Sequence, residues 1–287
     1  MIFCKELNKS FNSEEELFLE LKANKEMIIS EKKSQIQKSI DKGLSITAKP
    51  MDLSKFSDTS KGISQEDGYF YLAVNSTNVL DSHKDLHVNG IWNKTVKEQQ
   101  GKNYLVDSHV LSLKTTIVKR EDIEMFTMVV PFTAIGKSYP SNTEILVYKF
   151  LKTKVMDKDA LAWLESGDSI EASVRMRYTD VELAMNSESK EDETEKRNFD
   201  SYSPVIANKY DFDEEINYFW VVKQAQNLNE SSLVLFGSNS STGLVESTTQ
   251  ENKDIEVDTI TSTKEIEPSK EDTQDNTIQL INNFKLN

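Results

Sequence analysis

The chain has a single cysteine, Cys4, among its 287 residues. One thiol cannot form a disulfide within the chain, and this scarcity favours a reducing, cytoplasmic setting. Cys4 lies in a polar N-terminal stretch far from any histidine, which favours a structural thiol over a catalytic one. A disulfide framework is therefore excluded as the source of stability.

Basic residues and long apolar runs are also scarce. Lys and Arg number 34 against 48 Asp and Glu, and the formal net charge is -14 without any dense basic cluster. Phosphate binding needs a basic face, so we do not expect nucleic acid as a partner. No apolar run approaches the ~20 residues of a membrane span, and the N-terminus lacks the pattern of a signal peptide. We therefore expect an unsecreted protein that does not enter a membrane.

The first 66 residues are predicted as an N-terminal helical and polar arm. Ser13 and Glu16 have the spacing of a capping box, which predicts that a helix begins there. A second helix is predicted over residues 30–42. These helices would either pack on the core or serve as an assembly arm.

From Gly68 onward the sequence contains runs rich in β-branched and aromatic residues, separated by polar, Gly or Pro breaks. Such runs are typical of strands, and they predict a β-rich domain over residues 67–240 within a mixed α+β fold. One short helix is expected between two strands, capped by Asp157 and ended by Gly167. Residues 185–200 contain almost nothing to bury, so 185–215 are predicted as a flexible insertion.

The C-terminal residues 241–287 are predicted as a disordered, acidic, low-complexity tail. After Ser238 there are ten Asp or Glu against four Lys or Arg, and Phe284 is the only aromatic residue. Such a segment has too little apolar surface to offset its ordering entropy. Residues 277–287 are predicted as a short amphipathic docking segment, with an unstructured terminus as the alternative.

Only three histidines are present: His83, His87 and His109. His83 and His87 are four residues apart, a spacing that would place both on one face of a helix, as a metal pair needs. The Asn, Asp and Gly residues around them favour a turn instead, so we expect both histidines to lie in a surface loop. A metal-dependent hydrolase that uses all three histidines stays open as an alternative.

His109 lies in an apolar, strand-like run, and Ser173 is predicted to lie mid-strand, six residues after Gly167. A titratable ring is unfavourable in an apolar run unless it has a hydrogen-bonded role. Arg175 and Arg177 follow Ser173 at i+2 and i+4, which would place them on the same face of the strand. A lone serine or histidine in a strand is ordinarily structural, so residue types alone leave the role of this pair open.

The order of the segments gives a further indication. Two aspartates with a Gly and a Trp come first, then a histidine soon after an acidic residue, then a mid-strand serine, then a Glu-x-Ser-Leu-Val segment that ends in Gly-x-Asn. Over roughly residues 68–240 this pattern resembles the prohead protease family of tailed bacteriophages. The residues that carry the resemblance are Asp81, Asp85, Gly90, Trp92, His109, Ser173, Glu230, Ser232, Leu233, Val234, Gly237 and Asn239.

The resemblance implies a serine endopeptidase. Ser173 would be the nucleophile, His109 its general base and Glu230 the third member, with Asp107 as the alternative third member. Arg175 and Arg177 would support the oxyanion. The sequence departs from the family at Arg175, where a Gly is usual, and in the insertion over residues 185–215.

The resemblance also implies a fold and a setting. The fold would be that of the herpesvirus assembly proteases, a β-barrel-like domain flanked by helices, with Ser173 and His109 on neighbouring strands. The partners would be the major capsid protein and the scaffold protein, together with other copies of the chain, inside a prohead in the host cytoplasm. The resemblance also implies that the chain cleaves itself and that it uses no metal or cofactor. The alternative is a catalytically inactive internal scaffold protein of the prohead.

Overall fold

The structure is a computed structural model that describes residues 1–38, 46–47, 51, 66–166, 171–212 and 215–234. These residues belong to one unit, which spans Met1–Thr242. The predicted acidic tail, its docking segment and Gly167 lie outside the described residues. Among the described residues, no helix combines the length and the apolar character that crossing a membrane requires.

The fold is mixed α+β, as predicted. Its strands are β1 (Ile2–Cys4), β2 (Lys9–Phe11), β3 (Gln37–Lys38), β4 (Ile46–Thr47), β5 (Tyr69–Ser76), β6 (Asp85–His87), β7 (Tyr104–Asp107), β8 (Thr116–Val118), β9 (Glu124–Pro131), β10 (Asn142–Leu151), β11 (Glu171–Met185) and β12 (Tyr218–Val234). Its helices are α1 (Glu14–Ala23), α2 (Lys25–Ser34), α3 (Asn93–Glu98), α4 (Lys158–Ser166) and α5 (Glu193–Tyr202).

The larger sheet has seven strands, and its main path runs β3-β11-β12-β7-β8. Strands β11 and β12 are antiparallel, whereas β7 and β6 both pair with β12 in parallel. Strand β12 has partners along both of its edges, and its first five residues are apolar and buried on both faces of the sheet.

The sheets are not closed into a barrel, so the predicted β-barrel-like architecture is wrong. In the described part of the chain, β3 and β8 stand at opposite ends of the strand path. They have two and three residues, respectively. Closure needs long edge strands that pair with each other, and these short ends do not.

The smaller sheet, in the order β5-β10-β9, packs against one face of the larger sheet. Buried polar groups join the two sheets as well as apolar side chains. The Tyr148 hydroxyl in β10 accepts hydrogen bonds from Ser231 Oγ at 2.9 Å and from Asn227 Nδ2 at 2.7 Å, both in β12. This contact defines a core face of β12, and the opposite face carries the site described below.

The N-terminal segment packs on the same core. Ser13 caps α1 by accepting the backbone N–H of Glu16, as predicted. Helix α2 covers Lys25–Ser34 and not residues 30–42. Its buried Lys32 Nζ lies 2.5 Å from Asp85 Oδ1 in β6, so a charged contact joins the segment to the larger sheet.

The predicted flexible insertion over residues 185–215 contains helix α5, so a loop is wrong for this part. Its two buried side chains are polar, and Phe199 is half-buried against Phe219. Glu195 pairs with Lys25 at 2.6 Å, and Asn198 Nδ2 donates to the backbone oxygen of Leu183 at 3.0 Å. Apolar periodicity in the sequence does not predict a helix whose buried side chains are polar. The Asp157 cap of α4 is confirmed, because Asp157 Oδ1 accepts the Ala160 N–H at 2.8 Å.

Candidate active site

Ser173 lies near the start of β11, directly opposite Ser232 of β12. Just after it in β11, Val174, Met176 and Tyr178 are buried, whereas Arg177 and Thr179 are exposed. The side-chain period of a strand therefore places Ser173 on the face opposite the core between the two sheets. Ser173 has no exposed surface even so.

Glu230 lies in β12, on the strand between Ser173 and the end of β7. The β11–β12 register shifts just before it, and Asn229 has a left-handed φ of 67°. Such a bulge re-aims the side chains beside it. Glu230 pairs with Tyr104 of β7 and is fully buried.

His109 follows β7 and is not inside a strand, contrary to the prediction. Ser108 and His109 have φ values of 50° and 57°, and the Val110 N–H donates to the Asp107 carbonyl at 3.0 Å. Two left-handed residues inside such a hydrogen bond form a tight turn of the primed type. The turn directs the His109 ring back over the sheet.

The two predicted catalytic residues are two strands apart, not on neighbouring strands. Strand β12 lies between β11 and β7, so the His109 ring reaches across the strand that carries Glu230. The middle strand, β12, can therefore supply a hydrogen-bonding side chain to the imidazole at the point where the His109 ring passes over it.

The three side chains form one hydrogen-bonded series. His109 Nε2 lies 2.7 Å from Ser173 Oγ. His109 Nδ1 lies 3.0 Å and 3.1 Å from the two carboxylate oxygens of Glu230. The His109 side chain is only 2% exposed, so all three groups are shielded from water.

This arrangement favours one tautomer of the imidazole. An ionised carboxylate only accepts hydrogen bonds, so Glu230 requires the proton of neutral His109 to lie on Nδ1. The lone pair on Nε2 then faces the Ser173 hydroxyl. A serine needs such a base within hydrogen-bond reach to become a nucleophile near neutral pH.

Asp107, the alternative third member, does not contact the ring. It is exposed, and its Oδ1 accepts a hydrogen bond from Ser108 Oγ at 2.7 Å. Neighbours at i-2 along a strand share a face, but the turn after Asp107 breaks this relation. Between the two predicted partners of His109, the structure brings Glu230 to the ring.

The two arginines differ in their surroundings. Arg177 is exposed, whereas Arg175 is half-buried. Arg175 Nε is buried and has no hydrogen-bond partner among the residues that the structure describes. A buried guanidinium N–H without a partner is unfavourable, so Arg175 offers a donor one i+2 step from Ser173.

Searches against protein-family models, curated proteins and solved structures found no match to this chain.

The early segment that carried part of the resemblance has structural contacts. Asp81 Oδ1 accepts the backbone N–H groups of His83 and Asp85, each at 2.8 Å. Trp92 is buried, and its Nε1 donates to Asn75 Oδ1 at 3.0 Å. Gly90 has a φ of 90°, and a side chain there would meet Asn93.

His83 is exposed, as predicted for a loop histidine, but His87 is not a surface residue. His87 lies in β6, is fully buried, and contacts the Tyr178 hydroxyl through Nε2 at 3.0 Å. Burial lowers the pKa of His87 to about 4. In the described part of the chain, no three His, Cys, Asp or Glu side chains are grouped as metal ligands would be.

Sequence reasoning did not find a role for Ser232. Its hydroxyl accepts the backbone N–H of His109 at 2.8 Å. The only signal was its place two residues after Glu230 in the family-like segment, and that pattern does not say what the hydroxyl contacts.

Proposed function

We propose that this chain is a serine endopeptidase of bacteriophage capsid maturation. The observation that carries the proposal is the series Ser173–His109–Glu230, with 2.7 Å and 3.0 Å between the hydrogen-bonded atoms. Three residues chosen from a sequence pattern lie on three separate strands or turns, yet their reactive atoms meet. A merely structural serine in a strand needs no such partners.

The mechanism follows from these atoms. Ser173 Oγ attacks the carbonyl carbon of the peptide bond while its proton passes to His109 Nε2, and Glu230 stabilises the imidazolium that forms. The C–N bond then breaks as His109 gives the proton to the leaving amine. Water, deprotonated by His109, attacks the acyl ester, so that the carboxylic acid leaves and Ser173 regains its proton.

The oxyanion of the tetrahedral intermediate needs hydrogen-bond donors. Arg175 is proposed as one of them, because its buried Nε is without a partner in the described residues. Arg177 is proposed as a weaker, long-range contributor, since it is exposed. The arginine at position 175, where the family usually has glycine, would then replace a backbone feature by a charged donor.

The proposed substrates are precursor segments of the major capsid and scaffold proteins, together with the chain itself, inside a prohead in the host cytoplasm. This part rests on the resemblance over residues 68–240. Burial of the triad supports a site that is closed in the single chain, because a peptide cannot reach Ser173 without displacing its neighbours. Self-association during assembly is the proposed cause of opening.

Co-expression tests the function. Wild type and Ser173→Ala are each expressed with the neighbouring capsid and scaffold proteins, and all chains are compared by intact mass. We expect shortened capsid, scaffold or protease chains with wild type and full-length chains with the variant. Identical masses in both would contradict the proposal and favour an inactive internal scaffold protein.

A chelator control addresses the metal-dependent alternative. Processing by wild type should be unchanged by a chelator, because no described residue of the proposed mechanism requires a metal. Loss of processing with chelator, and its retention in Ser173→Ala, would instead favour a hydrolase built on the histidines.

A further inference from the structure

The backbone at His109 is in a conformation that a histidine rarely adopts. A left-handed conformation brings Cβ close to the following carbonyl oxygen, and primed turns usually contain Gly, Asn or Asp at both central positions. Here these positions hold Ser108 and His109. Such a conformation persists only where surrounding contacts hold it, and residues of this kind cluster at functional sites.

Ser108, the first central residue of the turn, makes the last backbone hydrogen bond to strand β12. Its N–H donates to the Leu233 carbonyl of β12 at 3.0 Å. The next N–H, that of His109, does not continue the ladder between the two strands. It donates to the side-chain oxygen of Ser232 at 2.8 Å.

Ser232 therefore contacts both neighbouring strands, β11 with Ser173 and β7, which leads to the His109 turn. It is the direct neighbour of Ser173 across the β11–β12 pair and of Val106 across the β12–β7 pair. Its Oγ also lies 3.1 Å from the Val106 carbonyl oxygen and 3.0 Å from its own neighbour, the Leu233 carbonyl oxygen. A hydroxyl has one hydrogen to donate to these carbonyls and lone pairs left to accept the His109 N–H.

We infer that Ser232 is a positioning residue, whose hydroxyl holds the His109 backbone so that the imidazole lies between Ser173 and Glu230. This inference rests on the proposed function. Ser232 does not touch the reacting atoms. The Ser232 side chain contacts the turn, while the Ser232 backbone pairs with Ser173. Ser232 therefore fixes the position of the turn relative to strand β11, which carries the nucleophile.

The matched control is the neighbouring Ser231. Both serines are fully buried in the same strand. Ser231 Oγ, however, donates to the Tyr148 hydroxyl on the core face, away from His109. Serine-to-alanine changes at the two positions remove the same atom, and only one of them removes a contact to the turn.

The test uses a fluorophosphonate probe on the full chain assembled with the co-expressed capsid and scaffold proteins, the setting in which the site is proposed to open, with the modified residue mapped by mass spectrometry. Ser173 Oγ forms a bond to phosphorus, the P–F bond breaks, fluoride leaves, and the serine proton passes to His109. We expect kinact for Ser232→Ala to fall about 10- to 100-fold with KI unchanged, since small misplacements of a reacting group have effects of this size. Ser231→Ala should keep the wild-type kinact.

A second pair of variants covers the case in which Ser232→Ala fails to fold. Ser232→Thr and Ser232→Val have the same shape and differ only in the hydroxyl. We expect the Thr variant to react faster than the Val variant by about the same factor as above. Equal kinact values for Thr and Val, or for Ser232→Ala and Ser231→Ala, would overturn the inference while the proposed function stands. Absence of any adduct on Ser173 in wild type would instead contradict the proposed function.

Discussion

At the scale of single residues, the site depends on what each side of one imidazole contacts. His109 has Ser173 on Nε2 and Glu230 on Nδ1, and all three side chains are buried. Burial strengthens these interactions, because the local dielectric is lower than that of water. The same burial means that removing one partner leaves another without a hydrogen bond.

Glu230→Gln tests the third member of the series. The amide is uncharged and has a donor group, so it neither stabilises the imidazolium nor fixes the Nδ1–H tautomer. We expect the processing rate to fall roughly 10²- to 10⁴-fold with little change in folding. The measurement is the rate of chain shortening in the co-expression system.

Asp107→Asn is the control for this variant, since Asp107 is exposed and directed toward Ser108. It should process at close to the wild-type rate. A large loss with Asp107→Asn and a small one with Glu230→Gln would reverse the assignment.

His87 should make stability depend on pH. Burial lowers its pKa to about 4, from an ordinary value of 6.5. The unfolded chain therefore binds a proton first as the pH falls, and the stability present above pH 6.5 is progressively lost toward pH 4. Between pH 7 and pH 5 we expect His87 to account for about 2 kcal/mol of lost unfolding free energy.

Urea unfolding of wild type and His87→Gln at both pH values measures this contribution. The variant lacks the titrating ring, so its stability should fall less between pH 7 and pH 5 than that of wild type. Equal losses in the two proteins would show that His87 is accessible to protons in the folded state.

At the scale of elements, the turn over residues 107–110 places the His109 ring. Its two central residues have a left-handed backbone conformation. The Ser108 side chain is exposed, so residue 108 affects the stability of the turn mainly through its backbone conformation. Asn tolerates this conformation, whereas a β-branched side chain does not. Substitutions at Ser108 therefore separate backbone strain from packing.

Ser108→Asn should leave the free energy of unfolding within about 0.5 kcal/mol of wild type, and Ser108→Val should lower it by about 1–2 kcal/mol. Urea denaturation at pH 7 provides the comparison. If both variants lost the same stability, the left-handed conformation would not be what limits this position.

The strands β5 and β7 to β12 were predictable from sequence because each lies in a run of β-branched and aromatic residues bounded by polar breaks. Strand β6 was not, because Asp85, Leu86 and His87 stand among residues that favour a turn. The capping residues Ser13 and Asp157 were predictable for a similar local reason. Helix α5 was not, because Glu195 and Asn198 are buried through polar contacts. The turn at His109 was also missed, since neither Ser108 nor His109 is a usual left-handed residue.

The residues of the candidate site could be proposed from the sequence, but their geometry could not. Ser173, His109 and Glu230 came from a family-like pattern, which says which residues belong together. Strand order is set by long-range pairing, and the pairing of β12 with both β11 and β7 is not written in any local stretch. For the same reason the barrel was wrong, and Ser232 had no assigned role.

At the scale of the whole molecule, the N-terminal segment belongs to the fold that carries the site. Lys32 of α2 is buried and lies 2.5 Å from Asp85, and Glu6 Oε1 is 3.8 Å from the same ammonium. Burial raises the pKa of Asp85, and the charge of Lys32 opposes that rise. Removing Lys32 would leave a buried carboxylate without its cation.

Lys32→Met should lower the free energy of unfolding by about 3–5 kcal/mol, and Lys32→Met/Asp85→Leu should recover a large part of the loss. Lys154→Met is the control, because its pair with Asp122 is half exposed and should change stability by at most about 1 kcal/mol. Urea unfolding at pH 7 measures all three. A double variant no more stable than Lys32→Met would show that the buried pair is not the cause.

His109 is proposed to make Ser173 nucleophilic by accepting the proton of its hydroxyl. The most direct measurement is the mass of wild type and His109→Ala, each assembled with the co-expressed capsid and scaffold proteins and then exposed to a fluorophosphonate, with the modified residue identified by peptide mapping. We expect one adduct on Ser173 in wild type and a loss of that adduct in His109→Ala. An unmodified Ser173 in wild type, or equal modification in both proteins, would contradict it.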